Sequence, residues 1–114
     1  MDQPQQPILA LVRDLLFGSK ITAEAAAQGV TVKIIRNPAA LADLPGRLLL
    51  VDLNLPEAIA AAVDWQTRQN RPAIGFVSHT DTDVIRQAQS ARISKILSRG
   101  QFVQQLSALL TDPA

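Results

Sequence analysis

Apolar runs alternate along this chain with stretches whose apolar residues recur at helical spacing. The runs are Ile8 to Val12, Val30 to Ile35, Leu48 to Leu53, Ala73 to Ser78 and Ile93 to Ser98. They read as continuous rather than alternating, as strands covered on both faces require. Between them lie helical signals. Gly18-Ser19 opens a first helix, with Ser19 as N-cap and Gly29 as C-terminal stop. Asn37-Pro38 begins a short second helix, closed by Pro45-Gly46. Pro56 begins a third, running to about Gln69 and rich in alanine, with Trp65 near the edge of its apolar stripe and expected to be partly buried. A fourth starts at Thr80 or Asp81, where Thr80 and Asp83 resemble a capping box. The last spans about Gln101 to Leu110. Its apolar side carries Phe102, Val103, Leu106, Leu109 and Leu110, and its polar side Gln101, Gln104, Gln105 and Ser107.

Five βα units of this kind predict a parallel sheet with right-handed crossovers. The expected fold is α/β: a flavodoxin-like, doubly wound three-layer sandwich with five strands in the order 2-1-3-4-5. At 114 residues the chain suits one domain, expected over residues 8–111, with a flexible lead at 1–7 and a tail at 112–114.

Composition removes several functions. Net charge is +1 and the Lys and Arg residues are scattered, so no basic stripe points to a nucleic-acid partner. The absence of cysteine excludes a disulfide framework, a thiolate metal site and a cysteine nucleophile, and fits a reducing cytosol. No apolar run reaches membrane-spanning length, and the polar N-terminus lacks the order of a signal peptide. A cytoplasmic protein without a membrane partner is expected.

In a doubly wound sheet the residues after each parallel strand gather at one edge. Here they are Arg13 and Asp14, then Asp52, then Ser78 and His79, then Ser98 and Arg99. This set, from Ile8 to Leu110, resembles the receiver domain of bacterial response regulators. The resemblance implies that Asp52 stands at the phosphoacceptor position and Pro56 at the proline four residues on. It also implies that Asp14 is the second of two strand-1 acids that help hold Mg²⁺, and that Ser78 is the hydroxyl residue after strand 4. The sequence departs from the family at other positions. Arg13 replaces the first acid, Arg99-Gly100 stands for a Lys-Pro pair, Ile96 for a switch aromatic, and Ala60 for a glycine.

Mg²⁺ favours near-octahedral oxygen ligands, including one or two carboxylates. A guanidinium about 4 Å from a positive charge costs on the order of 4 kcal/mol per unit charge pair at an effective dielectric of about 20. Arg99 keeps the positive charge of the usual lysine, and its fork can hold a carboxylate bidentately. Arg99, Arg13 or both are therefore expected to pair with Asp52 and Asp14, leaving a pseudo-active site of Arg13, Asp14, Asp52, Ser78, His79 and Arg99 without metal or cofactor.

The leading reading is a pseudo-receiver: a signalling or scaffold module that works by protein–protein contact and is not an enzyme. The resemblance places the partner face on the fourth helix, fifth strand and last helix, with Val84, Ile85, Ile96, Gln101, Gln104 and Gln105. The partner is a signalling protein or a histidine kinase, and a homodimer is possible. Two alternatives stay open. Asp52 could accept phosphate, with Mg²⁺ on Asp14 and Asp52, or Arg13 and Arg99 could bind an anion or small ligand at the strand edge. Ser78, His79 and Asp81 are adjacent in sequence, but a hydrolytic triad is recognised in space, and neighbouring residues at a strand end diverge. His79 fits a loop histidine that bonds a backbone group. Leu15, Leu16 and Phe17 fall in the first loop, where they either fold over the core or form an exposed patch.

Overall fold

The computed structural model describes residues 6–111. The expected lead at 1–7 therefore lies outside the described residues except for Gln6 and Pro7, and the expected tail at 112–114 lies wholly outside them. The elements in order are β1 (Ile8–Leu11), α1 (Leu15–Gln28), β2 (Val32–Ile35), a 3-10 turn (Pro38–Ala40), β3 (Leu48–Asp52), α2 (Ala58–Gln69), β4 (Ala73–Val77), α3 (Thr82–Ser90), β5 (Lys95–Ser98) and α4 (Arg99–Thr111). All strand pairs are parallel, and the sheet order is β2-β1-β3-β4-β5. The flavodoxin-like order read from the sequence is the one observed.

Strand parity divides the core into two layers, because successive side chains point to opposite faces. Ile8, Ala10, Leu48, Leu50, Ile74 and Phe76 pack beneath α1 and α4, against Ile21, Phe102, Leu106 and Leu110. Leu9, Leu11, Leu49, Val51, Ala73 and Val77 pack beneath α2 and α3, against Ala58, Ala62, Trp65 and Ala88. Asp52 shares the parity of Leu48 and Leu50, so its side chain belongs to the α1/α4 side of the sheet.

Four boundaries or caps differ from the sequence reading, each for a local reason. First, α1 begins at Leu15, four residues before Ser19, because the Asp14 carboxylate accepts hydrogen bonds from the Leu16 and Phe17 amides and caps the helix. Leu15, Leu16 and Phe17 form its first turn and are not a loop. Second, the helix expected after Asn37 is a single 3-10 turn, so the last three βα units and the first carry α-helices while the second does not. Asn37 caps that turn as expected, accepting from the Ala39 amide. Third, α3 starts at the second of its two expected positions, with Asp81 Oδ1 accepting from the Val84 amide, and what differs is its cap, since Thr80 turns to Ser78 instead of forming a box with Asp83. Fourth, α4 begins at Arg99. Ser98 Oγ accepts from the Gln101 amide while Gln101 Oε1 accepts from the Ser98 amide, a reciprocal capping box.

Trp65 is completely buried, not partly so, and its indole N–H donates to the Leu44 carbonyl at 2.8 Å. That bond satisfies the one polar atom of the ring and lets the whole side chain enter the core. Gly75 in β4 is required by a close approach: a Cβ there would stand 2.5 Å from Leu53 Cδ1. Gly29 ends α1 in the left-handed conformation, at φ 70°, as its place after the last helical turn predicts. On the outer surface of α2, the hydrogen bond and charge of Asp64, with Asp43 beside it, raise the pKa of Arg68.

Candidate functional site

Asp52 lies at the edge where the parallel strands end. Asp52 is the last residue of β3 and lies in register with Phe76 of β4. Its side chain is 7% exposed, and both oxygens are engaged. Oδ2 receives Arg99 Nη2 at 3.1 Å, and Oδ1 receives the Asn54 amide at 3.0 Å. The second bond is an Asx turn, in which a side chain orders its own backbone two residues on. The Arg99 contact uses one guanidinium nitrogen, so the bidentate grip expected from the sequence is not formed.

The Arg99 guanidinium also lies 5.5 Å from the Phe17 ring centroid and 5.7 Å from that of Phe76. These rings stack at 4.7 Å, and Phe102 closes the cluster at 4.5 Å from Phe76. Each ring comes from a different element: α1, β4 and α4. Cation–π attraction and the ion pair therefore act on Arg99 together, and both strengthen as water is excluded.

Asn54 is the second organiser of the edge. Its Oδ1 accepts from the Ser78 amide at 3.2 Å, and its Nδ2 donates to Asp81 Oδ2 at 2.8 Å. One side chain thus ties the loop after β3 to the loop after β4 and to the start of α3. The sequence reading passed over Asn54, and the available signal was an Asn two residues after a strand-end Asp, a spacing that favours side-chain turns. Of the two readings open for Phe17, it folds over the core, and its contact with Arg99 depends on α1 starting earlier than the glycine suggests.

The other residues predicted for the site behave differently. Arg13 is exposed and turns toward β2, where its Nε donates to the Arg36 carbonyl at 3.0 Å. Among the described residues it pairs with neither Asp52 nor Asp14. Of the pairing expected for Arg99, Arg13 or both, the Arg99–Asp52 pair forms, while the Arg36 carbonyl and the α1 cap take Arg13 and Asp14. Ser78 Oγ lies 3.0 Å from Thr80 Oγ1. His79 is exposed and, among the described residues, makes no hydrogen bond, so the backbone bond expected of it is not found. Asp81 serves Asn54 and the α3 cap, which leaves no Ser-His-Asp relay. On the expected partner face, Val84, Ile85 and Ile96 are half-buried and pack on the α2/α3 core layer. Gln101 is committed to the α4 cap, while Gln104 is exposed and Gln105 half-buried.

No protein-family model matches the chain, and no curated protein matches its sequence. Solved structures do match its coordinates. The phosphorylated cyanobacterial phytochrome response regulator RcpA superposes with a TM-score of 0.76 at 15% identity, over 93% of this chain and 91% of that one. The chain has the receiver fold. A CheY-like response regulator receiver domain from Methanospirillum hungatei matches with a TM-score of 0.74 at 13% identity, over 94% of each chain. The receiver domain of a Pseudomonas aeruginosa sensor histidine kinase, solved with magnesium in its active-site cleft, matches at 0.76 and 16% identity, over 94% of this chain and 95% of that one. In that frame, Asp52 ends the central strand of the receiver sheet and Arg99 opens its last helix.

Proposed function

We propose that this chain is a pseudo-receiver: a signalling or scaffold module that acts through protein contacts, without catalysis and without accepting phosphate on Asp52. The receiver fold supports the signalling role. The observation that carries the rest is the closed state of the Asp52 carboxylate, with Arg99 on Oδ2 and the Asn54 amide on Oδ1.

The donor set does not suit the divalent ion that the fold family implies. A hard cation of that size needs several oxygens in octahedral array, with carboxylates among them. Asp14 spends Oδ1 on two helix amides, Arg13 replaces a second acid, and Asp52 is occupied. Among the described residues no three His, Cys, Asp or Glu side chains are grouped closely enough to hold a metal. The Arg13 guanidinium points away toward Arg36, so the positive charge that stands against a cation at Asp52 is that of Arg99.

Incubation with Mg²⁺ and a small acyl-phosphate donor, followed by intact mass measurement, tests this reading. An unchanged mass is expected. Gain of one phosphoryl group, lost in Asp52→Asn, would make the chain a working phosphoacceptor.

A further inference from the structure

Two surface features of this molecule are left without an occupant by the fold and by the Asp52 site. The first is a tip. Leu15 is 65% exposed and Leu16 is 85% exposed, and they are the exposed large hydrophobic residues of the described chain. They sit side by side at the start of α1 on a rigid base, because the next residue, Phe17, is locked into the ring stack with Phe76 and Phe102. Three exposed cations lie near them, against one exposed carboxylate, Asp14. Lys20 lies one turn along the helix from Leu16, Arg36 lines the same shallow groove as Leu15, and Arg13 is bonded to the Arg36 backbone.

The second feature is a groove of about 870 Å³ between α2 and α3, on the opposite face of the sheet. Leu53, Leu55, Ile59, Val63 and Val84 give it apolar walls. Its lining contains two carboxylates, Glu57 and Asp64, and no Lys or Arg, although Asp64 also holds Arg68 from outside the lining. Glu57, an exposed residue of its lining, has φ at 66°, and its side chain makes no cap bond to α2. A backbone held in the left-handed region by a non-glycine residue is a feature that surrounding structure must maintain.

We propose that the tip of one copy docks in the α2/α3 groove of the next, so that the chain self-associates head to tail. Shape and charge agree on this pairing. A protruding apolar pair with a surplus of positive charge beside it meets an apolar cleft whose lining carries Glu57 and Asp64, and grooves of this size accept whole apolar groups. A symmetric contact of tip with tip would instead bring Arg13, Lys20 and Arg36 against their own copies. Because the two surfaces differ and lie on opposite faces of the sheet, the contact is heterologous. It leaves a free tip at one end and a free groove at the other, and builds chains or rings instead of stopping at a dimer. The contact is independent of whether Asp52 accepts phosphate.

Sedimentation of the full chain over a concentration series tests the proposal, with two surface variants whose folding is checked by circular dichroism. Leu16→Ser removes the tip at an exposed position. Ala60→Arg fills the groove from an exposed position on α2. The wild type is expected to grow beyond dimer as concentration rises, and to dissociate in high salt. Each variant alone is expected to associate at least about tenfold more weakly, since burial of a leucine is lost or blocked. An equimolar mixture is the decisive sample. Leu16→Ser keeps a working groove and Ala60→Arg keeps a working tip, so the mixture forms a one-to-one dimer and grows no further. A wild type that stays monomeric into the millimolar range would overturn the proposal, as would association that Leu16→Ser leaves unchanged or a variant mixture that stays monomeric.

Discussion

Arg99, the first residue of α4, donates from Nη2 to Oδ2 of Asp52, the last residue of β3, at 3.1 Å. The carboxylate is nearly buried and the arginine is 38% exposed, so the pair sits at the boundary between core and water. Such a pair contributes less than its Coulomb energy suggests, but removing one partner strands the other. Arg99→Met leaves Asp52 with the Asn54 amide alone and is expected to lower stability by about 1–3 kcal/mol in urea unfolding. In a double-mutant cycle, adding Asp52→Asn is expected to cost much less on the Arg99→Met background than on the wild type. Equal costs on both backgrounds would show that the pair does not couple.

Trp65 offers a separate check on the α2/α3 layer. Its ring is completely buried and its indole N–H is bonded to Leu44. Trp65→Ala is expected to cost about 3–5 kcal/mol, a range typical of a large aromatic deleted from a core. Trp65→Phe is expected to cost less than this, since it keeps most of the volume but leaves the Leu44 carbonyl without its donor. Both are read by denaturant midpoint.

Gly75 tests the contact between β4 and the residue after β3. A methyl group there meets Leu53 on three carbons, and the strand cannot yield without moving Asp52 beside it. Gly75→Ala is expected to destabilise by about 1–3 kcal/mol, the usual cost of overpacking. Leu53→Ala on that background is expected to recover part of the loss, although it opens a cavity of its own.

The reciprocal Ser98–Gln101 cap fixes where α4 begins and therefore where Arg99 stands. Ser98→Ala is expected to cost about 1 kcal/mol in thermal or urea unfolding. It is also expected to raise amide exchange in the first turn of α4 more than elsewhere. Protection that falls evenly across the protein would contradict a local capping role.

The fold was legible because long-range order follows from short patterns. Runs such as Leu48 to Leu53 cannot be solvated on either side, and parallel strands with crossover helices then allow few arrangements. Helix starts were harder, because a cap is a competition among nearby polar side chains. Asp14 takes the first turn of α1 ahead of Ser19, and Ser98 and Gln101 together cap α4 so that it starts at Arg99. The site inherits this difficulty. The resemblance makes Asp14 a metal-ligand candidate, and in the fold one of its oxygens, Oδ1, is engaged by the helix that follows it. Arg13 and Arg99 carry the same charge in sequence, and only the geometry separates one that turns to a backbone carbonyl from one that reaches the buried carboxylate. Trp65 shows the same limit in the core, since its complete burial depends on a carbonyl twenty-one residues away.

We propose that Arg99, together with a donor set unsuited to a divalent ion, closes Asp52 to phosphoryl chemistry. Amide NMR of the full chain, titrated first with Mg²⁺ and then with beryllofluoride, tests it most directly. No saturable shifts are expected at Asp52, Asn54, Ser78 or Arg99 in either step. Saturable shifts at these residues that require Mg²⁺ and disappear in Asp52→Asn would contradict it.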